Sequence, residues 1–489
     1  MDMNKKQIAI VGSGIGGLTA ALLLTNQGYQ VTIYEKSHRT GGRLAYEEEG
    51  IYRIDQGPTI VLLPDMLLRI LEEAGVDRSK VELIRCDPMH RFYFEDGRVL
   101  NKWSSREEQV DEINRVFPGE GKGFEQFMAD MDPLFPRGVS AILERPFPKQ
   151  RDFYTREMTG LLKQMRAYTS LRSAMGRYFH SDQLKDAYSL QSLYIGGSPL
   201  STPGIYTLLP YAEHEYGVWI LKGGYASLAS ILEEELKNRG VVFHFGEEVT
   251  SLIIEEGSCK GIVTSQGTAH YDATLFNGDF PQITDLMDRK HIRKRRAYKA
   301  SSGCLLVYLG VEKRFEEATT HQFFLPSAFV SNMKEVFQKH RLPDHPSFYV
   351  FNPVHADASA APEGHSVLYF LIPVPNAERF SHGEETGKLV EKVLEEAEKK
   401  AFPALRENIR WQKVRTPNDA KRDGLYGGGS FGIAPVLSQS GVYRPQPKPY
   451  PKIQGLYAVG ASIHPGGGVP IVMQGAKLAV NQLIKELKS

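Results

Sequence analysis

Between Gln7 and Glu35 the chain carries its clearest alternation of apolar and polar stretches. Ile8, Ala9, Ile10 and Val11 form a short apolar run with polar flanks, which predicts a buried strand. The run breaks into Gly12-Ser13-Gly14-Ile15-Gly16-Gly17, then a helical stretch, Leu18 to Gln27, that stops at Gly28. A second apolar run, Val31 to Tyr34, ends at Glu35.

Further along, a helical pattern from Met66 to Ala74 closes at Gly75. Short strands are predicted at Val81 to Ile84 and Phe92 to Phe94, with Asp96-Gly97 as the hairpin turn before Val99. Leu161, Met165, Tyr168, Leu171, Met175 and Tyr178 recur at helical spacing, with Lys163, Arg166 and Arg177 on the opposite face. Such a basic amphipathic helix either lies in a membrane interface or packs its stripe on the core. A helix from Tyr225 to Asn238 leads to a strand at Val241 to Phe245. A small sheet is then expected from Val249 to Glu255, Lys260 to Thr264 and Ala273 to Phe276. Strands at Cys304 to Leu309, Ser347 to Phe351 and Val367 to Pro373 precede a long helix, Glu385 to Ala401. The last pair is a strand over Gly455 to Ala461 and a helix from Ile471 to Leu487.

The first strand–turn–helix–strand unit has the G-x-G-x-x-G spacing in the context that dinucleotide binding requires. Gly12 permits the tight turn, Gly14 the approach of a pyrophosphate, and Gly17 close helix–strand packing. The helix N-terminus offers free N–H groups to phosphate oxygens. Glu35 is placed to accept hydrogen bonds from ribose hydroxyls and to repel a 2′-phosphate. Gly427 to Gly432 repeats the spacing without a preceding strand or following helix, so a second nucleotide site is not expected there.

Thr40-Gly41-Gly42-Arg43 and Asp55-Gln56-Gly57-Pro58-Thr59 resemble the FAD-binding amine oxidase and carotenoid desaturase superfamily. Gly460-Ala461-Ser462-Ile463-His464-Pro465-Gly466-Gly467-Gly468-Val469-Pro470 resembles the closing motif of the bacterial phytoene and diapophytoene (dehydrosqualene) desaturases. Leu193 to Gly196, Thr416 to Asp419 and Tyr443-Arg444-Pro445 extend that resemblance over essentially the whole chain. It implies an α/β fold: a Rossmann-like FAD-binding domain, discontinuous in sequence, a mixed-sheet substrate domain and a helical, membrane-contacting region. The corresponding division is 1–80, 216–290 and 415–489 for FAD, and 81–215 and 291–414 for substrate and membrane. It also implies FAD contacts from Gly12, Gly14, Ile15, Gly16, Gly17, Glu35, Lys36, Gly42, Arg43, Gly57, Pro58 and Thr59. Val249, by position, and Gly460, Ala461, Gly468, Val469 and Pro470 complete the set. Ala461 departs from the broader flavoprotein pattern, which has an aspartate there for the ribityl chain.

The implied activity is FAD-dependent desaturation of a linear carotenoid precursor, phytoene or its diapo analogue, with electrons passed to a quinone or oxygen. Two alternatives accompany it: a terminal-methyl oxygenase of the same family, and a non-enzymatic prenyl-protein escort protein. No catalytic residue is assigned, because Glu213, His214 and His464 read as hydrogen-bonded structural residues.

Composition changes this picture little. With 489 residues, 41% hydrophobic and 24% charged, the chain reads as a folded protein of two or three domains. A net charge of +1 argues against nucleic acid as a partner. Cys86, Cys259 and Cys304 are too scattered for a disulfide framework or a metal site, as expected of a reducing cytoplasm. No leader is expected ahead of the first strand, and no apolar run reaches the ~18 residues of a membrane span. Charge does concentrate locally, with nine Lys or Arg against four Asp or Glu in residues 131–180, and seven Lys or Arg in residues 289–299. These two regions suggest peripheral contact with a lipid surface.

Overall fold

The computed structural model describes residues 6–292, 296–379 and 383–488. Five parallel strands form one sheet, in the order Leu456–Ala458, Ala273–Phe276, Gln7–Val11, Gln30–Glu35, Val242–Phe245. Val11 stands opposite Phe276 on one side and Tyr34 on the other. The strands are continuous apolar runs because both faces are covered. Ile8, Ile10, Ile33 and Leu275 pack against the helices Ile15–Asn26, Gly224–Asn238 and Val469–Lys488. Ala9, Tyr34 and Phe276 face an antiparallel sheet of Val249–Glu255, Ser258–Thr264 and Gly267–His270. The small sheet therefore differs from its sequence expectation. Ala273–Phe276, buried at every position, is a central strand of the parallel sheet, and Gly267–His270 takes its place.

A second, mixed sheet has seven strands, in the order Ile409–Arg415, Gly303–Val311, Ser366–Val374, Phe348–Phe351, His321–Leu325, His90–Phe94, Val99–Lys102. All its pairings are antiparallel except that of His321–Leu325 with His90–Phe94. Side chains alternate across it as strand geometry demands. Leu305, Val307 and Leu309 pack with the helix Glu384–Lys400, whereas Cys304, Leu306 and Tyr308 face the opposite core. That core is closed by short helices between Arg106 and Tyr216.

The predicted amphipathic helix over residues 161–178 is broken. Helices Arg156–Gln164 and Leu171–Met175 are separated where Arg166 takes φ +48°, outside the helical region. Leu161, Met165, Leu171 and Met175 are buried, while Tyr168 is 70% exposed. The period persists across the break because each piece packs its own apolar side on the core. Among the described residues no helix is long and apolar enough to cross a membrane. Of the basic run 289–299, residues 293–295 lie outside the described residues. The three cysteines are buried and unpaired.

Candidate functional site

The turn after the first strand is built without side chains where a ligand would approach. Gly12 has φ +95°. Gly14 caps the helix Ile15–Asn26 with no side-chain hydrogen bond, so its first-turn N–H groups stay open to an anion. A Cβ on Gly14 would meet only Asn277 Nδ2, at 3.1 Å, whereas one on Gly17 would overlap the Gly12 carbonyl oxygen. Gly57 is constrained in the same way, since a Cβ there would lie 2.5 Å from the Arg43 carbonyl oxygen.

Glu35 is buried at the end of its strand. One carboxylate oxygen accepts from Ser13 N and Oγ at 2.8 Å, the other from Ser37 N and Oγ at 2.9 Å. The two serine hydroxyls occupy the lone pairs that ribose hydroxyls would compete for. Arg43 donates to the Ser430 carbonyl at 2.5 Å, tying its Gly-Gly-Arg turn to the Gly427–Gly432 loop. Asp55, two residues before Gly57, accepts from Tyr225 N and Ala226 N at 2.9 Å and so caps the helix Gly224–Asn238. Burial pushes the Asp55 carboxyl up to about 7, against those two hydrogen bonds.

The opposite wall comes from distant sequence. Asn277, just past the strand Ala273–Phe276, donates to the carbonyls of Gly12 and Gly14 at 3.0 and 3.3 Å. Asp279 accepts from Tyr426 N at 2.9 Å and from the Ser462 hydroxyl. Arg444, buried, donates to the carbonyls of Ala461 and Ile463 and holds the closing motif in shape. Sequence reasoning missed Ser13, Ser37, Asn277 and Asp279. A polar residue directly after a central parallel strand was the available signal for the last two.

These elements line one cavity of about 980 Å³. Every residue expected at the cofactor site lines it except Gly17, which acts beneath the turn. The cavity continues as an apolar gallery between the helices and the mixed sheet, past Leu193, Leu208, Leu306, Phe323, Leu325 and Leu371. The Gly427–Gly432 loop holds no second nucleotide turn, but Ser430 and Phe431 join the wall of this one.

Ionisable groups stand behind the gallery. Glu213 and Lys102 are fully buried and paired at 3.1 Å. Burial raises the Glu213 carboxyl and lowers the Lys102 ammonium, each opposed by its partner. Burial likewise holds His90 and His214 well below the usual histidine range, His321 at about 3 and His464 at about 4. His464 hydrogen-bonds the Arg145 carbonyl at 3.0 Å and His214 that of Trp103 at 3.0 Å. Neither lines the cavity.

A glycine-built nucleotide cradle opening into an apolar gallery defines a flavoprotein oxidoreductase. A profile of the flavin containing amine oxidoreductases matches residues 15–484. The 4,4'-diapolycopen-4-al dehydrogenase of Metabacillus indicus is 47% identical over 98% of this chain and 97% of its own. The zeta-carotene-forming phytoene desaturase of Myxococcus xanthus is 32% identical over 98% and 94%. The 4,4'-diapophytoene desaturase (4,4'-diaponeurosporene-forming) of Staphylococcus aureus (strain Newman) is 29% identical over 99% of both. A putrescine oxidase with bound putrescine shares the fold, with TM-score 0.66 at 14% identity over 99% of each chain. The chain belongs to the flavin containing amine oxidoreductase family, among the carotenoid desaturases and their relatives. It is an FAD-dependent oxidoreductase.

Proposed function

We propose that this protein desaturates a linear polyisoprenoid of the phytoene or diapophytoene type. The observation that carries this reading is the continuity of the nucleotide cradle with the apolar gallery in one cavity. Residues 1–80, 216–290 and 415–489 form the FAD unit, and 81–215 and 291–414 the substrate unit. Gly12, Gly14, Ile15, Gly16 and the helix behind them hold the pyrophosphate, and Glu35 the adenosine ribose beside Lys36. Gly42 and Arg43 close over the phosphates, and Val249 borders the adenine. Gly57, Pro58 and the main chain of Thr59 meet the flavin from one side; Gly460, Ala461, Gly468, Val469 and Pro470 meet it from the other. Asp279 supplies the carboxylate that Ala461 lacks.

FAD, when bound, accepts the two electrons of a C–H bond. The gallery's contribution is positional: it excludes water and holds an extended chain in one register, so that one bond after another is presented. A quinone or oxygen takes the electrons onward. The membrane surface is the source of substrate. Exposed Tyr154, Leu437 and Tyr443 support this, lying beside Arg296, which donates to the carbonyls of Ser438 and Tyr443. Pro435 and Arg444, next to them in sequence, line the cavity.

A second reading, oxidation at the chain end, is favoured by the 47% identical relative, named for a polyene aldehyde. One experiment separates the two. FAD-loaded protein is incubated anaerobically with a quinone and either precursor in liposomes, or with the conjugated aldehyde. Desaturation gives stepwise growth of long-wavelength polyene absorption and products lighter by pairs of hydrogens. No conversion of either precursor, alongside conversion of the aldehyde to its acid, would overturn the first reading for the second.

A further inference from the structure

Part of the gallery wall is backed by the buried charges. Tyr194 lines the cavity and donates its phenolic proton to Glu213 Oε1 at 3.0 Å. The other Glu213 oxygen accepts from Lys102 Nζ at 3.1 Å and Gln191 Nε2 at 3.0 Å. With its proton directed at Glu213 and His90 Nε2 standing 3.4 Å from it, the Tyr194 oxygen keeps one further lone pair. Tyr349 and Thr59 also line the cavity. The Tyr349 hydroxyl lies 2.8 Å from Thr59 Oγ1 and 2.7 Å from His321 Nδ1. Phe323 joins the two tyrosines, its ring centroid 6.2 Å from that of Tyr194 and 5.0 Å from that of Tyr349.

The tautomer of His321 decides what this chain of groups offers. His321 Nε2 is buried without a hydrogen-bond partner. A bare nitrogen is tolerated in such a place better than an orphaned N–H. His321 therefore carries its proton on Nδ1 and donates it to Tyr349. The Tyr349 proton then passes to Thr59, and the Thr59 proton is left for the cavity. One stretch of a largely apolar wall thus holds a donor at Thr59 and an acceptor at Tyr194.

A saturated or polyene hydrocarbon uses neither group. Burying a Lys–Glu pair and a neutral histidine behind a hydrocarbon channel costs stability that a leucine wall would avoid. We propose that Tyr194 and the Thr59–Tyr349 pair form a recognition site for the oxygenated end of a linear polyene, with Glu213–Lys102 and His321 as positioning residues. An aldehyde oxygen accepts from Thr59, and a hydroxyl on the terminal carbon, as in an aldehyde hydrate or a primary alcohol, donates to Tyr194. This inference rests on the proposed action on linear polyenes and extends it to the chain end.

The test is a binding titration of the FAD-loaded, full-length protein with a linear polyene aldehyde and with the hydrocarbon of equal length. The polyene absorption band is the readout, and flavin absorbance checks cofactor retention. The aldehyde binds about tenfold more tightly than the hydrocarbon, and hydrogen bonding to its carbonyl shifts its band to longer wavelength. Tyr349→Phe leaves hydrocarbon affinity within about twofold but removes the shift and about tenfold of aldehyde affinity. Tyr194→Phe leaves the aldehyde band shift in place and weakens binding of the corresponding primary alcohol. Equal binding of aldehyde and hydrocarbon to the unaltered protein, or equal losses for both in Tyr349→Phe, overturns the site while leaving polyene binding intact. Failure of both ligands to bind removes the polyene reading and this inference with it.

Discussion

Gly17 lies directly under Gly12, so close that any Cβ on it would overlap the Gly12 carbonyl oxygen. Gly14, three residues earlier, has side-chain space limited only by Asn277 Nδ2 at 3.1 Å. The two glycines of one motif therefore serve different ends, and variants separate them. Gly17→Ala should destabilise the fold by about 1–3 kcal/mol through overpacking, read as a lower Tm of the apoprotein. Gly14→Val should keep most of the apoprotein Tm and lose flavin, read as a colourless purified protein. Full FAD occupancy in Gly14→Val would displace the pyrophosphate from this turn.

The buried pair gives a prediction with a built-in control. Lys102→Met strands the Glu213 carboxylate in the core and should cost about 3–5 kcal/mol. Adding Glu213→Met to it should recover part of that loss, the remainder being the cost of the Tyr194 and Gln191 donors left without their acceptor. Urea melts of the two variants decide this. If the double variant is no more stable than the single, the pair is not an isolated electrostatic unit.

Much of the nucleotide half was legible in the sequence, because its signals are local. Glycine spacing, strand ends and the acid at position 35 all fall within one βαβ unit. Asn277 and Asp279 were not legible. Asn277 meets Gly12, and Asp279 reaches the same cavity, only because Ala273–Phe276 pairs in parallel with Gln7–Val11, which no local pattern states. The 161–178 stripe misled for a different reason. Hydrophobic period reports which side chains are buried, not whether the backbone between them stays helical, and Arg166 breaks it. Lys102 and Glu213 sit on separate elements, and a lone Lys at a strand end ordinarily reads as solvated.

Acid should destabilise the protein. A histidine held below its unfolded value stays neutral in the native state while the unfolded chain binds a proton. Stability is therefore complete above pH ~6.5 and falls as pH drops toward the native value. His464 at about 4 and His321 at about 3 act in this sense between pH 6.5 and those values, as do His90 and His214. Asp55 at about 7, Asp186 at about 6 and Glu213, also raised by burial, act oppositely, losing stability as pH rises above the usual carboxylate range, and offset part of the effect. The four histidines outnumber them, so Tm should fall from pH 7 to pH 5. His464→Gln should reduce the slope of stability against pH by about 1.4 kcal/mol per unit in that window. An unchanged slope would mean that His464 titrates normally.

Membrane docking should depend on the Tyr154, Leu437 and Tyr443 patch. The protein should float with anionic vesicles at low salt and less so as salt rises, since exposed charges are screened over ~8 Å at physiological ionic strength. Leu437→Asp should reduce flotation several-fold without changing FAD occupancy. Equal failure to float with anionic and neutral vesicles at low salt would remove the membrane from the proposal.

The order of strands in the parallel sheet governs when this protein becomes a flavoprotein. Its first strand is central, but its edge strand Leu456–Ala458 and the helix Val469–Lys488, which packs on the helix Ile15–Asn26, are synthesised long after it. The glycine turn lacks that facing wall until residues 456–488 have emerged. A chain that stops short of residue 456 should consequently stay colourless where the longer one turns yellow with FAD.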